Sequence, residues 1–419
     1  MKKFIIILLL VMSACTNCFC AEDTATRIFS PRMRTLKAAV VDNFMSPPVI
    51  RIGTDDRLYI KFDEIGEDNS YLEYRLIHCN ADWQPSRLSE SEYVDGFNSA
   101  RIEDYAFSRA TYVHYVNYMI TLPNDDMRIM HSGNYLLQVY DPDEPDETLL
   151  QCRFQVSENG ANSFGSITSR TDMGHNSEWQ QLAFTADFSA LGNINPYQDL
   201  IVYVTQNDRA DTRRIVRSPL RLNGQQAVYE HLNDLIFPAS NEYRRFESTS
   251  NNFAGMHVDS LRFMGTNYHV WLKPDSERRD SEYSFDRTQH GRFIIREYNS
   301  TDSDLGADYI TVHFLLNAEE NPALELFVDG EFTHGLYDRT NRMTYDSAAG
   351  GYVLEIPLKQ GAYNYQYVAR PVGSVAAPSP SLIEGNKYET DNEYSVEVFY
   401  RPPGARGDRL VGFRTVTGM

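Results

Sequence analysis

Cysteine is scarce in this chain and gathered at one end. Of five, Cys15, Cys18 and Cys20 fall in the first twenty residues, and only Cys79 and Cys152 come later. A scaffold held by several disulfides is thereby excluded, since such scaffolds are short and dense in cysteine. Basic charge is also short: 39 Lys and Arg stand against 58 Asp and Glu, a formal net charge of -19. The deficit deepens once Lys2 and Lys3 leave with a cleaved N-terminus. Phosphate backbones need clustered Lys and Arg, so no nucleic acid is expected as a partner, and the acidity serves solubility. Long apolar runs are missing after the first dozen residues. No later segment approaches the roughly eighteen residues of a spanning helix, so no membrane-spanning segment is expected. The wording of familiar catalysts is absent too, with no G-x-S-x-G, no G-x-x-x-x-G-K and no H-E-x-x-H. The chain therefore reads as a non-enzyme with no catalytic, cofactor-binding or metal-binding residues. Fifty-eight acids always include some pair of carboxylates, so composition is silent on glycoside hydrolysis.

What is present begins with an export signal. Lys2 and Lys3 precede the apolar run Phe4 to Met12 and then small residues, the order of a secretory leader. The run is too short to anchor across a bilayer. Two cuts fit it. Met12-Ser13-Ala14-Cys15 has the form of a lipoprotein box, which leaves Cys15 acylated as a lipid anchor. Cutting after Cys20, with Cys18 and Cys20 as the small pocket residues, releases a soluble chain from Ala21. Either cut puts the protein in the cell envelope. There Cys79 and Cys152 have two readings: a disulfide adding ~4 kcal/mol if unstrained, or two buried thiols, because spacing does not fix the separation of their α-carbons.

The rest is strand rhythm. With 42% hydrophobic and 12% aromatic residues the chain can fill substantial cores, and its length suits roughly two to four domains. Apolar and polar residues alternate in Leu58 to Phe62, Tyr71 to Cys79, Ala110 to Leu122, Tyr135 to Tyr140 and Leu149 to Val156, and again at short intervals to Leu410 to Arg414. Asn233 to Ile236 is the one helical turn expected. The pattern predicts an all-β fold of consecutive antiparallel immunoglobulin-like or early-set β-sandwich domains. The expected division is a signal peptide over 1–20, an N-terminal β-sandwich over 21–158, a middle β domain over 165–300 and a C-terminal early-set-like sandwich over 303–419. Asn159 to Ser166, with its Gly, Asn and Ser, reads as the linker, and Pro371 to Ser381 as a flexible loop.

One stretch has a family's wording. Tyr71 to His78 alternates as a strand, turn formers follow at Asn80, Asp82, Pro85 and Ser86, and Trp83 among them would cap the end of a core. The string His78-Cys79-Asn80-Ala81-Asp82-Trp83, with Pro85-Ser86, Glu92-Tyr93 and Gly96-Phe97, resembles the plug-protein family of the type IX secretion system. Similar blocks occur at Pro47 to Gly53, Ser132 to Tyr135, Gln138 to Tyr140, Gln206-Asn207, Arg245 to Glu247, Glu384 to Asn386 and Glu389 to Tyr394, so the resemblance spans roughly Arg27 to Gly412. It implies a soluble periplasmic protein at the inner face of the outer membrane. Its partner would be the outer-membrane barrel translocon of that system, whose periplasmic opening it closes by bulk. One departure stands out. The family leads us to expect an aromatic after Arg209, and this chain has Ala210 before Asp211; if that aromatic belongs to a contact surface, the contact is weakened here. The exposed half of the Asp82 to Phe97 loop is the expected contact.

Other candidates are weighed against simpler roles. LELFVDGEF and GYVLEIPLKQGAYNYQYV resemble the early-set modules of starch-handling enzymes, which makes an envelope carbohydrate-binding protein the alternative function. Such modules stack a sugar on a Trp after the GEF turn, but Gly330-Glu331-Phe332-Thr333-His334-Gly335-Leu336-Tyr337 has none, and Phe332 is expected to pack inward. Asp302, Asp304 and Asp308, and Asp141, Asp143, Glu144 and Asp146, match no calcium loop and read as solvated turns. His78 and Cys79 are neighbours on a strand and point to opposite faces, so they do not share a metal. Arg406-Gly407-Asp408 reads as a turn between strands rather than an integrin ligand.

Overall fold

The structure, a computed structural model, describes residues 23–158 and 160–418. The export signal, with Cys15, Ala21 and both cut sites, lies outside the described residues. Strands make up 47% and helices 7%, which settles the class as all-β. The main sheets pair off as three sandwiches, each around its own apolar core.

In the N-terminal sandwich, Leu58–Ile65 buries Leu58, Ile60 and Phe62, and its antiparallel neighbour Tyr115–Leu122 buries Val116, Tyr118, Ile120 and Leu122. Met33–Val40 and Tyr105–Phe107 flank them. The facing sheet runs Arg27–Ile28, Thr148–Ser157, Gly133–Tyr140, Glu73–Cys79 and Ala100–Arg101, with Val49–Arg51 added in parallel. Cys79 stands opposite Asn134 and Cys152 opposite Leu137, on the two sides of the strand Gly133–Tyr140. Two strand spacings, ~9.6 Å, exceed the ~7 Å that a disulfide spans, and the odd offset turns the two side chains to opposite faces. Both thiols are buried and no disulfide joins them.

The next two sandwiches are interleaved rather than consecutive. The middle one packs Asn162–Thr168, Trp179–Asp187, Gln226–Tyr229 and Arg221–Asn223 against Arg214–Val216, Leu200–Gln206, Glu393–Tyr400 and Arg409–Thr417. The third lies between these two segments of chain. It packs Arg244–Ser248, Gly361–Pro371, Phe293–Ile295 and Leu324–Asp329 against Val258–Met264, Asn267–Leu272, Tyr309–Asn317, Gly351–Lys359 and Thr344–Asp346. The expected cut between 300 and 303 is therefore corrected: Asn267–Leu272 pairs in parallel with Tyr309–Asn317, and Leu200–Gln206 pairs with Glu393–Tyr400. Alternation marks a strand but carries no information about a distant partner. The expected linker is corrected as well, because Asn162–Thr168 is a strand against Trp179–Asp187. Its Gly165 is there for space: a Cβ would lie 2.7 Å from Val416 Cγ2. The helical turn at Asn233–Leu235 forms as expected, as a 3-10 turn.

Polar joints fix the three bodies to one another. Lys359 Nζ meets Asp63 Oδ2 at 2.7 Å with both side chains 1% exposed, and Tyr309 OH donates to the same oxygen at 2.6 Å. Tyr115 OH donates to Ala307 O at 2.8 Å. These bonds join the first sandwich to the third. Arg409 donates to Glu158 from Nε and Nη2 at 2.8 and 2.6 Å, joining the first to the middle, and Arg292 with Glu393 at 2.6 Å joins the third to the middle.

Candidate functional site

Where the three sandwiches meet, they do not close completely. A cavity of about 230 Å³ remains, and all three contribute to its wall. Lys37, Trp83 and Arg153 come from the first, Asp208, Arg209 and Arg213 from the middle, and Arg292, Glu331 and His334 from the third.

Local backbone geometry aims the charges. Strand Leu200–Gln206 ends in Asn207 and Asp208, both left-handed at φ 52° and 56°, a region that Asn and Asp tolerate better than most side chains. Asn207 is buried and held from both ends of its amide: Nδ2 donates to Asn392 Oδ1 at 2.7 Å, and Oδ1 accepts from Glu393 N at 2.9 Å. The turn is thereby fixed, with Asp208 on the cavity wall. Asp208 is exposed on that wall, and the desolvating effect of the protein around it raises its pKa, opposed by the positive charge of Arg292.

Arg292, 5% exposed, donates from Nη2 to Glu393 Oε1 at 2.6 Å, and its buried Nη1 has no acceptor among the described residues. Arg213 is similar: Nη2 donates to Ala81 O at 2.7 Å and Glu397 Oε2 at 2.6 Å, and buried Nε has no acceptor among the described residues. Other charges are matched, Lys37 with Glu331 at 2.9 Å and Arg209 with Asp211 at 2.7 Å. The Arg153 guanidinium lies 4.3 Å over the Trp83 ring and donates to Thr24, and burial lowers its pKa to about 10. Burial holds His334 neutral at pH 7, its pKa lowered to about 4. The cavity wall is thus lined by cations already paired with carboxylates, with the exposed Asp208 among them. No group of three His, Cys, Asp or Glu among the described residues is arranged for a metal.

The wording around His78 forms a joint. Ala81 N donates to Asp408 Oδ2 at 2.9 Å, Arg401 donates to Asn80 Oδ1 at 3.0 Å, and Ala81 packs with Phe399 and Leu410 of the middle sandwich. In Arg406-Gly407-Asp408 the Arg406 side chain is exposed while Gly407 and Asp408 are buried, and a Cβ on Gly407 would meet Leu88 at 2.8 Å. His78 and Cys79 diverge as expected: Cys79 joins Trp83 and Leu136, while His78 Nε2 meets Ser132 O at 3.1 Å and burial lowers its pKa to about 4. Trp83 caps the end of that small core, as expected, and lines the cavity. In the same loop Phe97 is 87% exposed.

Other expectations shift. Ala210, which stands where the family leads us to expect an aromatic, lines the cavity. Phe332 packs inward as expected, while His334 and Tyr337 of the presumed sugar position also line the cavity. Two of three acids in the 302–308 stretch are not solvated turns. Asp304 pairs with Lys61 at 2.5 Å, and Asp308 accepts from the backbone of Tyr112 and Val113 at 2.9 and 3.1 Å, both in the first sandwich. Asp141 accepts from Asp143 N in an ordinary turn. Sequence reading missed Asp208 and Arg292. The only nearby signal was the block Gln206-Asn207, which stops one residue short.

Comparison with known proteins supplies the remaining context. Residues 33–158 match the type 9 secretion system plug protein 1st domain. The crystal structure of a hypothetical protein from Parabacteroides merdae ATCC 43184 is similar over 94% of this chain and 99% of that one, at 39% identity and a TM-score of 0.91. An alkylpurine DNA glycosylase from Pseudomonas fluorescens aligns over 30% of each chain at 10% identity and a TM-score of 0.18, a likeness that carries no argument. No curated protein matches the chain. With the plug domain laid over the N-terminal sandwich, and the string around His78 forming its joint to the next, the chain belongs to the type IX secretion system plug family.

Proposed function

We propose that this protein is a non-enzymatic periplasmic plug that docks on the outer-membrane translocon of the type IX secretion system and occludes its periplasmic opening. Family membership gives the chain a role connected with type IX secretion. The observation that carries the finer reading is the fusion of three sandwiches by buried polar joints, Lys359 with Asp63 above all. A channel wide enough for folded cargo leaks when idle, and a stiff body stops the leak by shape and a contact surface alone. The contact should bury ~1,600 Å² or more. The rim of the 82–97 loop is the proposed docking edge, with Asp82, Arg87, Glu90, Asp95 and Phe97 exposed. Among the described residues no helix is long and apolar enough to cross a membrane.

The test is affinity purification from detergent-solubilised envelopes, paired with outer-membrane permeability after deletion of the gene. The plug reading expects the translocon barrel to co-purify, Phe97→Asp to reduce its recovery, and the deletion strain to admit small solutes. Unchanged permeability together with no barrel in the eluate sinks it.

A further inference from the structure

We propose that the strand Val258–Met264 is a second contact for the translocon, taking up an extended segment of it as a further strand of the third sandwich. The inference rests on the docking reading and names the kind of partner surface that meets this one.

An unguarded sheet edge carries it. Edge strands expose a row of unpaired N–H and C=O groups, and folds blunt them by shortness, cover, bulges, charge or proline. Most edges here follow that rule. Arg27–Ile28 and Ala100–Arg101 are two residues long, and Arg214–Val216, Arg221–Asn223 and Thr344–Asp346 are three. Met33–Val40 is bulged between Arg34 and Lys37, Leu324–Asp329 is bonded on its outer side by Asn341 and Met343, and Arg409–Thr417 by Glu158 and Ala161. Asn162–Thr168 has Gly165 at its centre, which weakens a strand. The part of Gly351–Lys359 not covered by Thr344–Asp346 carries Pro357. Val258–Met264, by contrast, has seven residues with neither proline nor lysine, and among the described residues it pairs on one side alone, with Asn267–Leu272. Its bulge falls between Val258 and Ser260, so Ser260 to Met264 is regular.

The turn fixes which groups face outward. Met264 stands opposite Asn267 across the two residues Gly265-Thr266, with Gly265 left-handed at φ 66°, as the first position of a type II′ hairpin requires. A two-residue turn makes its flanking residues a hydrogen-bonded pair, and bonded pairs alternate with unbonded ones. Ser260, Arg262 and Met264 therefore bond to the neighbouring strand, and Leu261 and Phe263 turn N–H and C=O to the free edge. The strand is also held in place. The Phe263 ring rests on Tyr112 of the first sandwich at 4.8 Å and on Tyr268 at 5.3 Å, yet Phe263 remains 47% exposed. Arg262 is exposed and forms no ion pair among the described residues. An added strand gains affinity from main-chain bonds and specificity from alternate side chains, so the partner segment should set an apolar residue against Phe263 and an acid against Arg262. A second copy fits less well: each carries a net charge of -19, and two-fold pairing about Leu261 sets Phe263 against Asp259.

Affinity purification of the full mature chain from detergent-solubilised envelopes tests this with two variants, each checked for folding by thermal melting. Phe263→Pro removes an outward N–H that the fold does not use, and is expected to lower recovery of the barrel about fivefold or more. Phe263→Val keeps that N–H and a strand-forming side chain, and should recover the barrel within about twofold of the parent. A photo-crosslinking p-benzoylphenylalanine in place of Phe263 is expected to label the barrel. The proposal is overturned if folded Phe263→Pro recovers the barrel as the parent does, or if the crosslinker labels only a second copy or nothing. It is overturned too if Phe263→Val loses as much as Phe263→Pro, which marks a contact through the side chain alone. Docking itself survives those results, whereas a parent that recovers no barrel overturns both readings. Should Phe263→Pro fail to fold, the crosslinker decides alone.

Discussion

Buried charge decides how tightly these sandwiches grip. Asp63 sits between Lys359 at 2.7 Å, Tyr309 OH at 2.6 Å and Asn117 Nδ2 at 2.7 Å. Replacing Lys359 by Met removes the only cation of that set and leaves a carboxylate buried with neutral donors, at a cost of about 3 kcal/mol. Urea titration of Lys359→Met measures it, and Lys359→Met with Asp63→Leu should recover most of the loss, since replacing both partners by apolar groups is often near neutral. A loss under about 1 kcal/mol would mean that the joint is not dry. His78 gives a residue-scale pH dependence. Burial lowers its pKa in the fold to about 4, against ~6.5 in the unfolded chain. The unfolded state therefore binds the proton first, and stability is lost as pH falls from about 6.5 to about 4. His78→Asn should flatten the melting temperature across that window relative to the parent; an unaltered slope assigns the acid sensitivity elsewhere.

Single elements were largely legible and their partnerships were not. Tyr309 to Leu316 and Ser395 to Tyr400 were readable from alternation, because each strand buries one set of side chains against its own core. Glu393–Tyr400 nevertheless bonds to Leu200–Gln206 across an entire inserted sandwich, and no local pattern encodes that reach. Composition misled at residues 162–166, where Gly165 looked like linker and is a strand residue pressed on Val416. The site divides in the same way. Trp83 was recognisable as a core cap from its turn context, whereas Asp208 and Arg292 resemble any solvated polar residue until three cores bring them together. Gly165→Val tests the strand reading: with 2.7 Å to Val416 Cγ2 and 3.3 Å to Ala183 O, overpacking should lower stability by about 1–3 kcal/mol. Protection of the 393–417 amides from hydrogen exchange should fall with it; unaltered protection there would argue against the contact.

At the scale of the whole molecule, buried ion pairs and shared cavity walls couple all three sandwiches, so calorimetry of the parent should give one cooperative transition whose van't Hoff and calorimetric enthalpies agree. Lys359→Met should split off the first sandwich as a separate, lower transition. Several well-resolved transitions in the parent would mean that the joints are weaker than their geometry. The interleaved middle sandwich has a temporal consequence. Leu200–Gln206 leaves the ribosome long before Glu393–Tyr400 exists to zip onto it, while the intervening segment can finish its own core in the meantime. The newborn polypeptide thus keeps an open seam until its tail arrives. Closure of the middle sandwich, unlike that of its two neighbours, waits on the last pair of strands, Glu393–Tyr400 with Arg409–Thr417.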